Sequence, residues 1–124
     1  GGQAYVDLER GWAAARAADL EEADRSFERA VKEQPELAAG WGALIRVRAQ
    51  RGRTPEARAT LERARSAGLP RTTLRVYEAL IAALEGDARS AHRALADVPA
   101  AALSSDPALA DVVRVTREVL AKLR

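Results

Sequence analysis

One spacing of apolar residues occurs three times in this chain, at a constant interval. Each copy has an alanine, a large apolar residue four positions later and a third apolar residue three positions after that. The copies are Ala23, Phe27 and Ala30; Ala57, Leu61 and Ala64; and Ala91, Leu95 and Val98. Steps of three and four place side chains on one face of an α-helix. A fixed period of about 34 residues is typical of helical repeats that bury their apolar faces against each other. We therefore expect three similar helical repeats.

The composition also favours closely packed helices. Hydrophobic residues make up 48% of the chain, but alanine is the most frequent of them and only five residues are aromatic. Alanine favours helices and lets neighbouring backbones approach each other. The chain has no cysteine, which excludes disulfide bonds and thiolate zinc sites. It also has no apolar run of membrane-spanning length, so we expect no membrane insertion.

The first repeat is expected to contain two helices, over about 4–17 and 20–33. Asp19 can cap the second helix, and Glu22 three residues later completes a capping box. Pro35 lies just past this helix, which it cannot continue. The repeat is therefore expected to end there.

The turns of the other two repeats carry helix-ending and helix-starting residues. Gly52 is expected to adopt the left-handed conformation that ends a helix. Thr54-Pro55 then supplies an N-cap and a proline at the first helical position. Gly86-Asp87 repeats this step one period after Gly52. Each repeat is therefore expected to be a pair of antiparallel helices.

The second repeat also begins with a recognisable pattern, Trp41-x-x-Leu44. Together with the three apolar copies and the closing Pro35, this pattern resembles the tetratricopeptide repeat (TPR) family over about residues 4–98. The sequence departs from that family at Ile45, where glycine is usual, and at Arg48, where tyrosine is usual.

The resemblance implies an all-α fold, a right-handed superhelical α-solenoid of antiparallel helix hairpins. In this reading residues 1–124 form one domain with repeats at about 4–37, 38–71 and 72–98, a linker at 99–105 and a capping helix at 106–123. The residues expected to pack the repeats together are Ala23, Phe27, Ala30, Trp41, Leu44, Ala57, Leu61, Ala64, Ala91 and Leu95.

The first helices of the outer repeats fit the strict spacing less well. In the first repeat it would bury Asp7 and Arg10, which is unfavourable for unpaired charges. We therefore expect Tyr5, Leu8 and Trp12 to pack instead, with a turn two residues longer than in the second repeat.

The third repeat shows the same conflict. Strict spacing would bury Arg75 and Glu78, whereas a shifted stripe uses apolar residues, namely Leu74, Tyr77, Ile81 and Leu84. Trp12 and Tyr77 can each belong to the core or anchor a partner side chain, and the sequence leaves both open.

The family resemblance implies that the first helices line a concave groove for a peptide of another protein. Arg46 would offer such a partner a forked donor that suits a carboxylate, so the partner is expected to be acidic. The predicted groove residues are Leu8, Trp12, Arg16, Gly42, Ala43, Arg46, Gln50, Tyr77 and Leu80.

Charge is distributed unevenly along the chain. The net charge is +2, but residues 1–37 carry −4 and residues 38–71 carry +6. The basic stretch allows two alternatives to peptide binding. It could meet the acidic first repeat of another copy in a self-associating scaffold, or bind nucleic acid through seven arginines, which is less favoured because no aromatic residues interleave them. These are Arg46, Arg48, Arg51, Arg53, Arg58, Arg63 and Arg65.

Catalytic motifs are lacking in this sequence. His92 is the one histidine, and neither a nucleophile–base pair nor a glycine-rich phosphate loop is present. We expect a protein that is not an enzyme and binds no cofactor or metal ion. The sequence leaves the compartment open, with the cytoplasm favoured.

Overall fold

The computed structural model describes residues 2–123 and is all-α in that range, with no β-strand. The eight helices are α1 (Gln3–Arg16), α2 (Leu20–Glu33), α3 (Ala38–Gln50), α4 (Thr54–Ser66), α5 (Arg71–Leu84), α6 (Ala88–Ala96), α7 (Ala100–Ser104) and α8 (Pro107–Ala121). Within this range, none of the helices is both long and apolar enough to span a bilayer.

The helices divide into two units. The first unit ends at Leu69 and contains α1 to α4, in which α1 packs on α2, α2 on α3 and α3 on α4. The second unit begins at Pro70 and contains α5 to α8, in which α5 packs on both α6 and α8. The α1/α2 and α3/α4 hairpins thus belong to one unit, and the α5/α6 hairpin belongs to the other.

The same turn joins the helices of all three hairpins and recurs at the sequence period. The left-handed residue is Ala18 in the first turn (φ 61°), Gly52 in the second (φ 77°) and Gly86 in the third (φ 82°). In each turn the next N–H donates to the carbonyl five residues earlier, over 2.8–2.9 Å. The predicted longer first turn is therefore wrong, because Ala18 adopts the conformation that glycine adopts in the other two.

The predicted capping box is only half formed. The Asp19 carboxylate accepts the Glu22 N–H at 3.1 Å, as expected of an N-cap. However, the Asp19 N–H donates to Ala14, and the Glu22 carboxylate is bound by Arg25 and Ser26. The recurrent turn thus takes the N–H group that a full capping box would use.

Most of the predicted packing residues lie in the core. Leu95 is half-buried, and the others have at most 4% of their surface exposed. These buried residues are Ala23, Phe27, Ala30, Trp41, Leu44, Ala57, Leu61, Ala64 and Ala91.

The first hairpin follows the strict spacing at Asp7 and Gly11, contrary to the prediction for α1, but Arg10 is exposed. Asp7 is buried with 3% exposure, whereas Tyr5 is 54% exposed. Gly11 lies directly under the ring of Phe27, so close that an added Cβ would stand 2.3 Å from Phe27 Cε1. Trp12 is half-buried and packs edge-on against the same ring, with centroids 5.1 Å apart.

The buried Asp7 is explained by a pairing position that recurs in each hairpin. Asp7 accepts a hydrogen bond from Arg29, 22 residues later, at 3.2 Å. Arg75 binds Asp97, also 22 residues later, at 2.6 Å.

In the second hairpin the same spacing brings Arg63 over the ring of Trp41, at 5.1 Å from its centroid. The same two positions are thus in contact in all three hairpins. The contact is an ion pair in the first and third hairpins, with the charges interchanged, and a cation–π contact in the second.

Helix α5 partly follows the shifted stripe predicted for it. Leu74, Tyr77 and Ile81 are buried, and Leu84 is half-buried. Arg75 is only half-buried, because its guanidinium reaches Asp97 and the Glu78 carboxylate at the edge of the hairpin.

The C-terminal region differs from the predicted linker and cap in two details. Residues 100–104, expected to be linker, form α7. Helix α8 is capped by Asp106 and buries an apolar stripe, but Leu123, within the predicted bounds of the capping helix, is 43% exposed. The buried residues of that stripe are Leu109, Val112, Val113, Thr116 and Leu120.

Candidate partner-binding surfaces

The predicted groove residues divide into buried and accessible positions. Gly42 and Ala43 in α3 and Tyr77 and Leu80 in α5 are buried, so they pack inside the protein in this conformation. The accessible positions all lie on α1 and α3 of the first unit. Leu8, Trp12 and Arg46 are half-buried there, and Arg16 and Gln50 are exposed.

The basic second hairpin and the acidic helix α2 pair with each other within one chain. Arg48 in α3 donates to Asp24 and Glu28 in α2, at 3.0 Å each, and to Thr60 in α4 at 2.7 Å. Arg51 reaches Asp24 at 3.5 Å. Arg48 thus ties three helices together.

Arg63 extends this network from α4. Its two terminal nitrogens donate to the two oxygens of Glu28 at 2.7 and 2.8 Å, while its planar group lies over Trp41. The Arg63 hydrogen bonds, supported by Arg48, lower the pKa of Glu28 to about 2 although partial burial opposes this shift. The carboxylate therefore stays ionised to strongly acidic pH.

This network changes the meaning of the charge asymmetry. Arg48, Arg51 and Arg63 were three of the arginines considered for nucleic acid or for a second copy of the chain. All three bind carboxylates of α2 in the same chain. Charge complementarity between the first two hairpins is therefore satisfied internally.

A polar pocket lies between α1 and α2. It is lined by Gln3, Asp7, Arg29, Lys32 and Glu33 and measures about 360 Å³. Two of its charged residues, Asp7 and Arg29, bind each other. The pocket therefore surrounds a structural ion pair.

An apolar cavity lies between α6 and α8 in the second unit. It has a volume of about 540 Å³ and contains Leu95, Leu120 and Leu123, with His92 and Arg117 at polar positions of the lining. The sequence did not predict this cavity, because the cavity depends on where α8 packs. His, Asp and Glu side chains in residues 2–123 do not gather into a group of three that could hold a metal ion.

Comparisons with known proteins do not assign this chain to a family. No family model, no curated protein and no solved structure matches this chain. The structure defines an all-α protein in which three helix hairpins share one turn geometry.

Proposed function

We propose that this chain is a non-catalytic protein–protein interaction module, built as a TPR-like solenoid of three helix hairpins and a final helix. The observation that carries the proposal is the recurrence of the left-handed turn at Ala18, Gly52 and Gly86. A backbone geometry repeated at the sequence period is expected of a repeat protein, and stacked helical repeats serve to present extended binding surfaces.

The binding surface in this proposal is formed by the accessible residues of α1 and α3. Trp12 packs one edge against Phe27 and leaves part of its ring in contact with solvent. Arg16 and Arg46 add forked donors, and a side chain of this kind binds a carboxylate with two parallel hydrogen bonds. The expected ligand is therefore an acidic peptide with an apolar side chain that reaches Trp12.

Catalysis is not part of the proposal. His92 is the one histidine of the chain, and a chain without cysteine offers no thiol nucleophile. Ionisable groups of the first unit bind each other in salt bridges, as Asp7, Glu28 and Arg48 do. Such pairs hold helices together.

The test is selection of peptides from a display library with equal numbers of acidic and basic members, followed by titration of the best peptide. We expect acidic peptides to be enriched, and Arg46→Glu to weaken their binding about tenfold, the effect of losing one good charge-assisted contact. Arg93→Glu is the matched control, because Arg93 is exposed on α6 and outside the predicted groove.

Two outcomes would count against the proposal. Equal losses for the Arg46 and Arg93 variants would mean that only net charge matters. Enrichment without preference for acidic peptides would remove the role of the arginines. Light scattering over a concentration series tests the alternative, a self-associating scaffold, for which the exposed Tyr5, Val6 and Leu123 are the available apolar side chains.

A further inference from the structure

Helices α2 and α6 occupy equivalent places in their hairpins, but only α2 is covered. Asp24 and Glu28 of α2 are bound by Arg48 of α3, and Glu28 is bound also by Arg63 of α4. Two helices therefore cover that face of α2. The residues two repeat lengths later are His92 and Ala96 of α6, and both are exposed.

The position of α8 explains why this face of α6 is open. Helix α3 packs on both α2 and α4, whereas α8 packs chiefly on α5. Ala88 and Leu95 still pack against the buried cluster that includes Leu120 of α8, so α6 and α8 are in contact around Leu120. Next to this contact, residues of both helices line the cavity of about 540 Å³.

The lining of this cavity combines apolar side chains with positive charge. Leu95, Leu120 and Leu123 supply large apolar groups, and Leu123 is 43% exposed. Arg117, a permanent cation, and His92 are the two titratable residues of the lining. Among residues 2–123 the lining includes no carboxylate, in contrast to the Asp24 and Glu28 face of α2.

We propose that the cavity between α6 and α8 binds an amphipathic helix of a partner protein that carries acidic residues beside its apolar stripe. The occupant is a helix because the equivalent face of α2 is covered by helices. It is acidic because the charge of the face is reversed: basic helices cover the acidic face of α2, and the cationic Arg117 attracts carboxylates, to which the His92 ring can donate a hydrogen bond. This surface lies on helices other than α1 and α3 and does not depend on the function proposed above.

The chain itself provides the design of a probe. Helix α4 covers Glu28 in the first unit and has a small-large-small apolar stripe of Ala57, Leu61 and Ala64. The probe is a fluorescent peptide of residues 54–66 in which Arg58, Arg63 and Arg65 are replaced by glutamate. The matched control is the native basic peptide of the same residues. Both are held helical by a side-chain bridge, since a helix of this length is marginal in water.

Binding is measured by fluorescence anisotropy on the full chain, with heteronuclear NMR to locate it. We expect the acidic peptide to bind at least about tenfold more tightly than the basic peptide. Amide shifts should be confined to α6, α8 and the residues that follow α8. Equal affinity for the two peptides, or shifts centred on the first unit, would overturn the proposal.

Three variants test which residues bind the probe. Arg117→Glu should weaken the acidic peptide about tenfold and strengthen the basic one, and Leu123→Glu should weaken both. Arg93→Glu, on α6 but outside the lining, should leave both affinities unchanged. NMR spectra that keep their dispersion show that the variants fold. Unchanged binding by Arg117→Glu and Leu123→Glu would refute the site.

A second copy of the chain is the competing occupant. Sedimentation of the protein alone over a concentration series should show no growth that depends on Leu123. Concentration-dependent association that Leu123→Glu abolishes would assign the cavity to self-association and overturn the partner-helix proposal.

Discussion

The first and second hairpins have the same backbone turn but different interiors. In the first, Gly11 on α1 leaves room for the ring of Phe27 on α2. In the second, Ile45 stands at the glycine position and Leu61 at the phenylalanine position, and both are buried. The larger side chain of the α1/α2 pair lies on the second helix, whereas in the α3/α4 pair both helices carry a large aliphatic side chain, and the turn is the same. The turn and the alanine positions therefore set the hairpin geometry. At the paired positions, a smaller side chain on one helix is compensated by a larger one on the other.

The largest expected effect comes from adding a side chain at Gly11, where the ring of Phe27 fills the space in the first hairpin. Gly11→Ala places a methyl group 2.3 Å from a ring carbon of Phe27. The ring is fully buried and also packs against Trp12, so relief requires movement of the core. We expect a loss of about 3 kcal/mol in the free energy of unfolding, the upper range for overpacking. Urea unfolding followed by tryptophan fluorescence measures it, since Trp12 and Trp41 both lie in the first unit.

The double variant Gly11→Ala with Phe27→Leu is the control for that mechanism. It copies the smaller residue of the second hairpin and should cost clearly less than the sum of the two single changes. Additive losses would mean that the two positions do not share one volume.

Charge pairing gives the next largest difference. Arg29→Ala leaves Asp7 buried without its partner, which should cost about 2 kcal/mol, less than for a fully buried pair because Arg29 is half-exposed. In the third hairpin Asp97→Ala should cost only about 0.5 kcal/mol, because Arg75 keeps Glu78. Circular dichroism during urea unfolding follows both.

The double variant Asp7→Ala with Arg29→Ala tests whether an unpaired buried carboxylate causes that loss. It should be more stable than Arg29→Ala alone, since no buried carboxylate is left unpaired. If the single Arg29 variant proved the more stable of the two, the ion pair would not explain the burial of Asp7.

The network around Glu28 predicts a pH dependence that the first hairpin alone would not show. The pKa of Glu28 is about 2 in the folded chain against an ordinary value of 4.5. Its contribution is therefore complete above pH 4.5 and is lost as the pH falls toward 2, because the unfolded chain binds the proton first. Allowing for solvent screening, this contribution is about 1–2 kcal/mol.

Glu28→Gln should remove that part of the acid sensitivity. The free energy of unfolding of both proteins is measured from about pH 6 to about pH 2.5. These two pH values lie about a unit or more above and below the ordinary pKa of a glutamate. Parallel curves would show that Glu28 is not the carboxylate involved. Glu33→Gln, at an exposed position of the same helix, is the matched control.

A small effect is expected at the turn that the hairpins share. Ala18 has φ 61°, where an L-residue with a Cβ is strained and glycine is not. Ala18→Gly should therefore raise the unfolding free energy by about 0.5–1 kcal/mol, after the greater freedom of glycine in the unfolded chain is deducted. Ala17→Gly, at a residue with φ −85°, should lower it by a similar amount. A gain from both substitutions would show that the left-handed backbone is not the cause.

Much of the fold followed from local sequence patterns. The bounds predicted for α2 are those observed, and the positions of Gly52 and Gly86 were confirmed, because caps and glycine turns are decided by neighbouring residues. Ala18 was missed, since alanine gives no signal for a left-handed turn. The same period that relates the other two turns would have identified it.

The candidate surfaces were harder to predict because they depend on contacts between distant residues. Asp7 was expected outside the core because its partner, Arg29, lies on another helix. A search for complementary residues 22 positions apart would have found this pair and the Arg75–Asp97 pair. The packing of α8 on α5 rather than α6, which creates the cavity, has no such local signal.

The 22-residue spacing of the paired side chains also bears on how the chain folds. Each contact closes a short loop within one hairpin, and the entropy lost on closing a loop grows only slowly from a small value at this length. Proteins rich in such local contacts fold quickly. During synthesis, each pair becomes available as soon as its second helix leaves the ribosome, before the next hairpin exists. We therefore expect the contacts within each hairpin to form before the two hairpins of the first unit pack on each other.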